Sequence, residues 1–158
     1  YFEKTNLLFF IKSFTFKVKE QEKSPRKVYV TDVGLSNAIG FKFSSDIGKI
    51  YENVVAIELK KKIALNPNME VYYWKNVRHE EVDFVVKEKR KIVQLIQVCH
   101  DIEDAKTKKR ELKSLLKASK ELKCSNLLIV TEDKEGEETI EKKKIKYIPL
   151  WKWLLEIV

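Results

Sequence analysis

Cysteine, glycine, arginine and histidine are scarce in this chain, long apolar runs are missing, and each shortage removes a class of protein. The two cysteines, Cys99 and Cys124, are too few for a disulfide framework, so a cytoplasmic, reducing compartment is expected. The longest apolar run, Leu7 to Ile11, falls far short of the roughly 20 residues that span a bilayer. No basic, apolar and small-residue leader pattern precedes it, so no membrane partner is expected. The four glycines, Gly34, Gly40, Gly48 and Gly136, are isolated, which excludes ATP binding through a P-loop. Neither a Gly-x-Ser-x-Gly elbow nor a His-Glu-x-x-His helix occurs. His79, Cys99, His100 and Cys124 lack zinc-site spacing, so a buried thiol and a surface imidazole are expected instead. Methionine occurs once, at Met69, and the chain opens at Tyr1. A further segment is therefore expected upstream.

Charge is abundant. The 158 residues, 44% of them hydrophobic, are enough for one domain with a real core. The net charge of +8 invites nucleic-acid binding. Against that, the charge is mostly lysine interspersed with glutamate, a balance also typical of hyperthermophile surfaces. Only Arg26, Arg78, Arg90 and Arg110 offer the planar fork suited to phosphates and bases.

Periodicity suggests the elements. Phe14, Phe16 and Val18 alternate with polar residues and predict a strand, with Glu20 to Arg26 as a polar connector. Lys27 to Val30 predicts a short strand leading into a helical turn at Asp32 to Leu35. A helix capped by Ser45 or Asp46 should run to about Lys62, ending before Asn66-Pro67. Glu58 falls inside its apolar face and Glu52 at the edge of that face. Glu70 to Trp74 predicts a strand. Two further strands follow, Glu81 to Val86 and Val93 to Cys99, joined by the charged turn Lys87 to Lys91. A second helix over Ala105 to Lys123 should turn Leu112, Leu115, Leu116 and Leu122 inward. A strand at Asn126 to Thr131, a final strand pair and a short helix from Trp151 complete the chain.

Asp83 and Gln97 are polar where buried strands should be apolar, and each such group left unpartnered costs about 1–3 kcal/mol. Their order, helix–three strands–helix–strand with Asp83 on the second strand and Gln97-Val98-Cys99 ending the third, resembles the PD-(D/E)XK nuclease superfamily. Several stretches also resemble a domain of unknown function at the C-terminus of archaeal AAA-type ATPases. They are Lys27 to Leu35, Tyr51-Glu52-Asn53-Val54-Val55, Tyr72-Tyr73-Trp74-Lys75, Glu81 to Val85, Leu95 to Cys99, Thr107 to Glu111 and Ile148 to Leu154.

The resemblance implies a restriction-endonuclease-like α/β fold, a mixed sheet flanked by helices with core order αβββαβ. It places that domain at residues 27–158, with 1–26 a strand and connector from an upstream ATPase region. It implies catalytic roles for Glu52, Asp83 and Gln97, with Asp83 and Gln97 as metal ligands for Mg²⁺ or Mn²⁺ if the site is active. Cys99 stands where the superfamily has lysine, and a thiol carries no positive charge in either protonation state. Lys106 or Lys108 would have to supply that cation; otherwise they are ordinary solvent-facing charges. The expected protein is a catalytically degenerate nuclease-like module that binds nucleic acid or a protein partner. Lys106, Lys108, Lys109 and Arg110 would meet phosphates, and an AAA-type ATPase core would be the partner in the same protein. The alternatives are a metal-dependent endonuclease acting on DNA and a regulatory module docking on its own ATPase.

Overall fold

The structure is a computed structural model and describes residues 6–34 and 47–156. Its elements are β1 (Leu8–Ile11), α1 (Val18–Lys23), β2 (Lys27–Val30), α2 (Ile47–Leu65), β3 (Met69–Lys75), β4 (Glu81–Glu88), β5 (Lys91–Val98), α3 (Ala105–Glu121), β6 (Leu127–Thr131), β7 (Gly136–Ile140), β8 (Lys143–Pro149) and α4 (Leu150–Leu155). The expected α/β class and core order are both found. Strands β3, β4 and β5 form an antiparallel meander, α3 crosses over, and β6 returns parallel to β5. The full order β3-β4-β5-β6-β8-β7 makes a six-stranded mixed sheet.

Burial explains the layering. All five residues of β6 are buried, as befits a parallel strand covered on both faces. One face packs Phe84, Ile96 and Val130 against Val55, Ala56 and Leu59 of α2, Phe9 and Ile11 of β1, and Trp153 of α4. The other packs Val85, Leu95 and Ile129 against Leu115, Ala118 and Leu122 of the α3 region. Helix α3 begins at Asp104, whose side chain accepts the Thr107 N–H at 2.6 Å, relieving one of the unpaired amides of a helix start.

The N-terminal segment departs from the expectation. The strand lies earlier, at Leu8–Ile11, and the proposed strand and connector give way to helix α1. The run Leu-Phe-Phe-Ile hides its in–out alternation because all four residues are apolar. Phe14 instead packs edge-on against Tyr72 and Phe16, and Phe16 is largely exposed. Helix α1 ends where Ser24 N–H and Oγ both bond Glu20 O and Pro25 follows. Strand β1 pairs antiparallel with β2, and Phe14 N and Tyr73 N bond Tyr73 O and Lys12 O, tying this segment to β3. Residues on both sides of position 26 thus share one core. The helical turn is present at Val33 and Gly34; Leu35 and the candidate caps Ser45 and Asp46 lie outside the described residues.

Candidate functional site

Strand β4 carries an irregularity where Asp83 sits. Tyr72 pairs with Val85 and Trp74 with Val82, so Asp83 and Phe84 together oppose Tyr73. A bulge of this kind re-aims a side chain. Val82 and Val85 pack on the α3 face while Phe84 faces α2, and Asp83 turns to the α2 side beside it. The β4–β5 ladder ends at Phe84–Ile96; beyond it the Asp83 carboxylate accepts the Val98 N–H at 3.0 Å.

The partner waiting on the α2 side is Lys27 of β2. Its ammonium lies 2.9 Å from Asp83 Oδ1, 2.8 Å from Glu52 Oε1 and 2.6 Å from Glu81 Oε1. Tyr29 donates its hydroxyl to Glu52 Oε1 at 2.6 Å, and Lys75 reaches the second oxygen of Glu81 at 2.9 Å. Asn53, one residue beyond Glu52, bonds both the N–H and the C=O of Val30 at 2.9 Å. That double bond stands in for a missing strand neighbour and fixes α2 against β2, holding Glu52 over Lys27.

Three carboxylates share one ammonium in a mostly buried place, where burial and the lysine charge act in opposite directions. Burial above all, then the neighbouring Glu52 charge, push Asp83 up to about 7 despite Lys27 and the Val98 N–H. Burial also pushes Glu81 up, but Lys27 and Lys75 outweigh it and hold that carboxyl below its ordinary range. For Lys27 burial favours the neutral amine, yet the surrounding carboxylates, Asp83 foremost, outweigh it and keep the ammonium charged. Burial raises the Tyr29 hydroxyl, so it remains a donor.

Gln97 faces the opposite side of the sheet. Its Nε2 donates to Glu111 Oε2 of α3 at 2.6 Å, and its Oε1 accepts the Asp83 N–H at 3.3 Å. Glu111 Oε1 in turn accepts two bonds from Arg110, at 2.9 and 2.6 Å. The expected trio is therefore divided: Glu52 and Asp83 meet through Lys27, and Gln97 belongs to a second network with Glu111. A cavity of about 390 Å³ opens beside Asp83, Gln97 and Glu111, with Arg78 and Arg110 among its lining residues.

The other sequence candidates are placed as follows. Cys99 is buried in the α3-side core, and burial, followed by the Glu111 charge, pushes its thiol up to about 12. Lys108 is paired with Glu138 at 2.8 Å and Arg110 with Glu111. Lys106 and Lys109 are exposed, with no ion pair among the described residues. Glu58 pairs with Lys61 at 2.8 Å, outside the carboxylate cluster. Lys27, Tyr29, Glu81 and Glu111 were not singled out from the sequence. Glu111 was detectable there, because it shares helical spacing with Leu115, Ala118 and Leu122 and so lies in the apolar stripe. Lys27 gave no such signal, since a lysine at a strand start reads as an exposed end.

The profile of the family described as "Domain of unknown function (DUF4143)" matches residues 47–153. The chain belongs to this family. No curated protein and no solved structure matches it. The DUF4143 match takes in Glu52, Asp83, Gln97 and Glu111, whereas Lys27 and Tyr29 come from the chain ahead of it. No helix among the described residues is long and apolar enough to cross a membrane.

Proposed function

We propose that this domain is a nuclease-like module without phosphodiester chemistry, working by binding a nucleic acid or a protein in the service of an archaeal AAA-type ATPase. The observation that carries this reading is the Lys27 ammonium among Glu52, Glu81 and Asp83, filling with the protein's own cation the place a metal would need. Gln97 adds to it, because both ends of its amide are engaged by Glu111 and by the Asp83 N–H. With the ammonium seated among them, the oxygens of Glu52, Glu81 and Asp83 that would face a metal ion are already engaged by Lys27. The donor set as arranged does not fit Mg²⁺ or Mn²⁺. Titration calorimetry with millimolar Mn²⁺ is expected to show no binding, and plasmid DNA to remain intact. Nicking that disappears in Asp83→Ala would overturn the reading. Docking on the ATPase core is the protein-partner form of the proposal; co-purification with a change in ATP turnover supports it, and unaltered turnover without association counts against it.

A metal-dependent endonuclease is the second reading, favoured by the nearness of Lys27 to Asp83 and by the cavity beside Asp83 and Gln97. In that reading Lys27 supplies the positive charge that Cys99 lacks. The substitution Lys27→Ala separates the two readings. It abolishes nicking if Lys27 is catalytic, and it lets Mn²⁺ bind where the native protein does not if Lys27 is a plug.

A further inference from the structure

We infer that the groove between α3 and β7 docks an extended acidic peptide, which adds to β7 as a further strand. The groove has a volume of about 750 Å³, with Leu112 and Leu116 of α3 and Ile140 of β7 in its lining. Ion pairs bracket it, Lys108–Glu138 at one end and Lys120–Glu141 at the other. The helix between them is about 18 Å long at 1.5 Å per residue, the reach of about five extended residues.

Strand β7 is the sheet edge. It pairs with β8 through the two-residue turn Glu141–Lys142, both of positive φ, with Ile140 opposite Lys143. In such a hairpin the closing pair is hydrogen-bonded and the next is not, so the N–H and C=O of Thr139 face outward. Free backbone beside an apolar floor is what strand addition uses, the backbone supplying affinity and alternate side chains specificity.

Charge selects the occupant. Lys108, Lys109, Lys113, Lys117 and Lys120 line the groove, while Glu138 and Glu141 take one lysine each and Glu80 takes both Lys113 and Lys117. Five lysines against three carboxylates leave a surplus of two positive charges. A peptide with two acidic side chains matches that surplus. Duplex DNA would bring about ten phosphates over the same 18 Å, and one strand about five. The inference is independent of whether the Lys27 cluster binds metal.

Fluorescence anisotropy on the full chain tests it, using a labelled octapeptide of alternating valine and glutamate, the matching valine–lysine peptide and a single-stranded oligonucleotide. The glutamate peptide is expected to bind and the lysine peptide not to. The double substitution Lys109→Glu/Lys113→Glu should weaken binding about tenfold or more, as should Thr139→Pro, which removes an outward N–H without taking a donor from the β7–β8 ladder. A probe N-methylated on the amides facing β7 should lose affinity similarly with the protein unaltered. Equal binding of the two peptides, or no loss on N-methylation, overturns the inference. So does an oligonucleotide that displaces the peptide and loses affinity in the same lysine variant, which would make the groove a nucleic-acid site.

Discussion

Two polar networks lie back to back across the sheet at Asp83 and Gln97, and they solve the burial of charge in opposite ways. On the α2 side, three carboxylates converge on one ammonium. On the α3 side, a neutral amide meets one carboxylate, which an exposed guanidinium completes from outside. The first depends on a cation brought from β2, distant in sequence. The second is closed by Glu111 and Arg110, which sit on one helix turn. Either network would be costly if it lost one member, since an uncompensated buried charge is worse than none. The comparison also accounts for glutamine at position 97. A glutamate there would aim a second negative charge at Glu111.

Removing the ammonium should have the largest effect. The substitution Lys27→Met is expected to destabilise the fold by about 3 kcal/mol, the lower end for breaking a buried pair because Lys27 is partly exposed, measured by urea unfolding at pH 8. The same loss should move the Asp83 carboxyl above its native midpoint of about 7, since Lys27 lowers it; carboxyl-carbon NMR titration reads both values. The sign for the native protein follows from that midpoint. Folded Asp83 binds its proton more tightly than the unfolded aspartate near 3.8, so its contribution is fully present below about 4 and lost as pH rises through about 7. Stability that climbs over this window in the native protein, yet is flat in Asp83→Asn, would break the assignment.

The α3-side network should respond less. Gln97→Glu is expected to cost about 2 kcal/mol through the lost hydrogen bond and the opposed carboxylates, and adding Glu111→Gln should restore most of it by exchanging the two roles. A double variant no better than the sum of its parts would mean the two side chains do not couple. The smallest effect belongs to Tyr29→Phe, which removes one charge-assisted hydrogen bond to Glu52 and should cost about 1.5 kcal/mol. If Tyr29→Phe costs as much as Lys27→Met, the hydroxyl and not the ammonium organises the cluster.

Most of the architecture is legible in the sequence. The helices at Ile47–Leu65 and Ala105–Glu121 and the strands from Met69 to Thr131 carry clear apolar periodicity or turn signals. The start of the chain was not legible, because Leu8–Ile11 is apolar on both faces and gives no alternation to detect. Within the site, Asp83 and Gln97 were conspicuous as polar residues in strands, and Glu52 lay on the edge of an apolar helix face. Lys27 and Glu81 were indistinguishable from the chain's many surface charges, and only their convergence on Asp83 sets them apart.

The sequence alone determined the α/β class, the order of the core elements and the presence of two polar residues inside the sheet, since each follows from local periodicity and from the cost of burying unpartnered groups. Tertiary structure alone decided what satisfies those residues. A single bulge at Asp83 and Phe84 sends the carboxylate to one face and leaves the neighbouring glutamine on the other, and no local pattern encodes which distant charge it then meets.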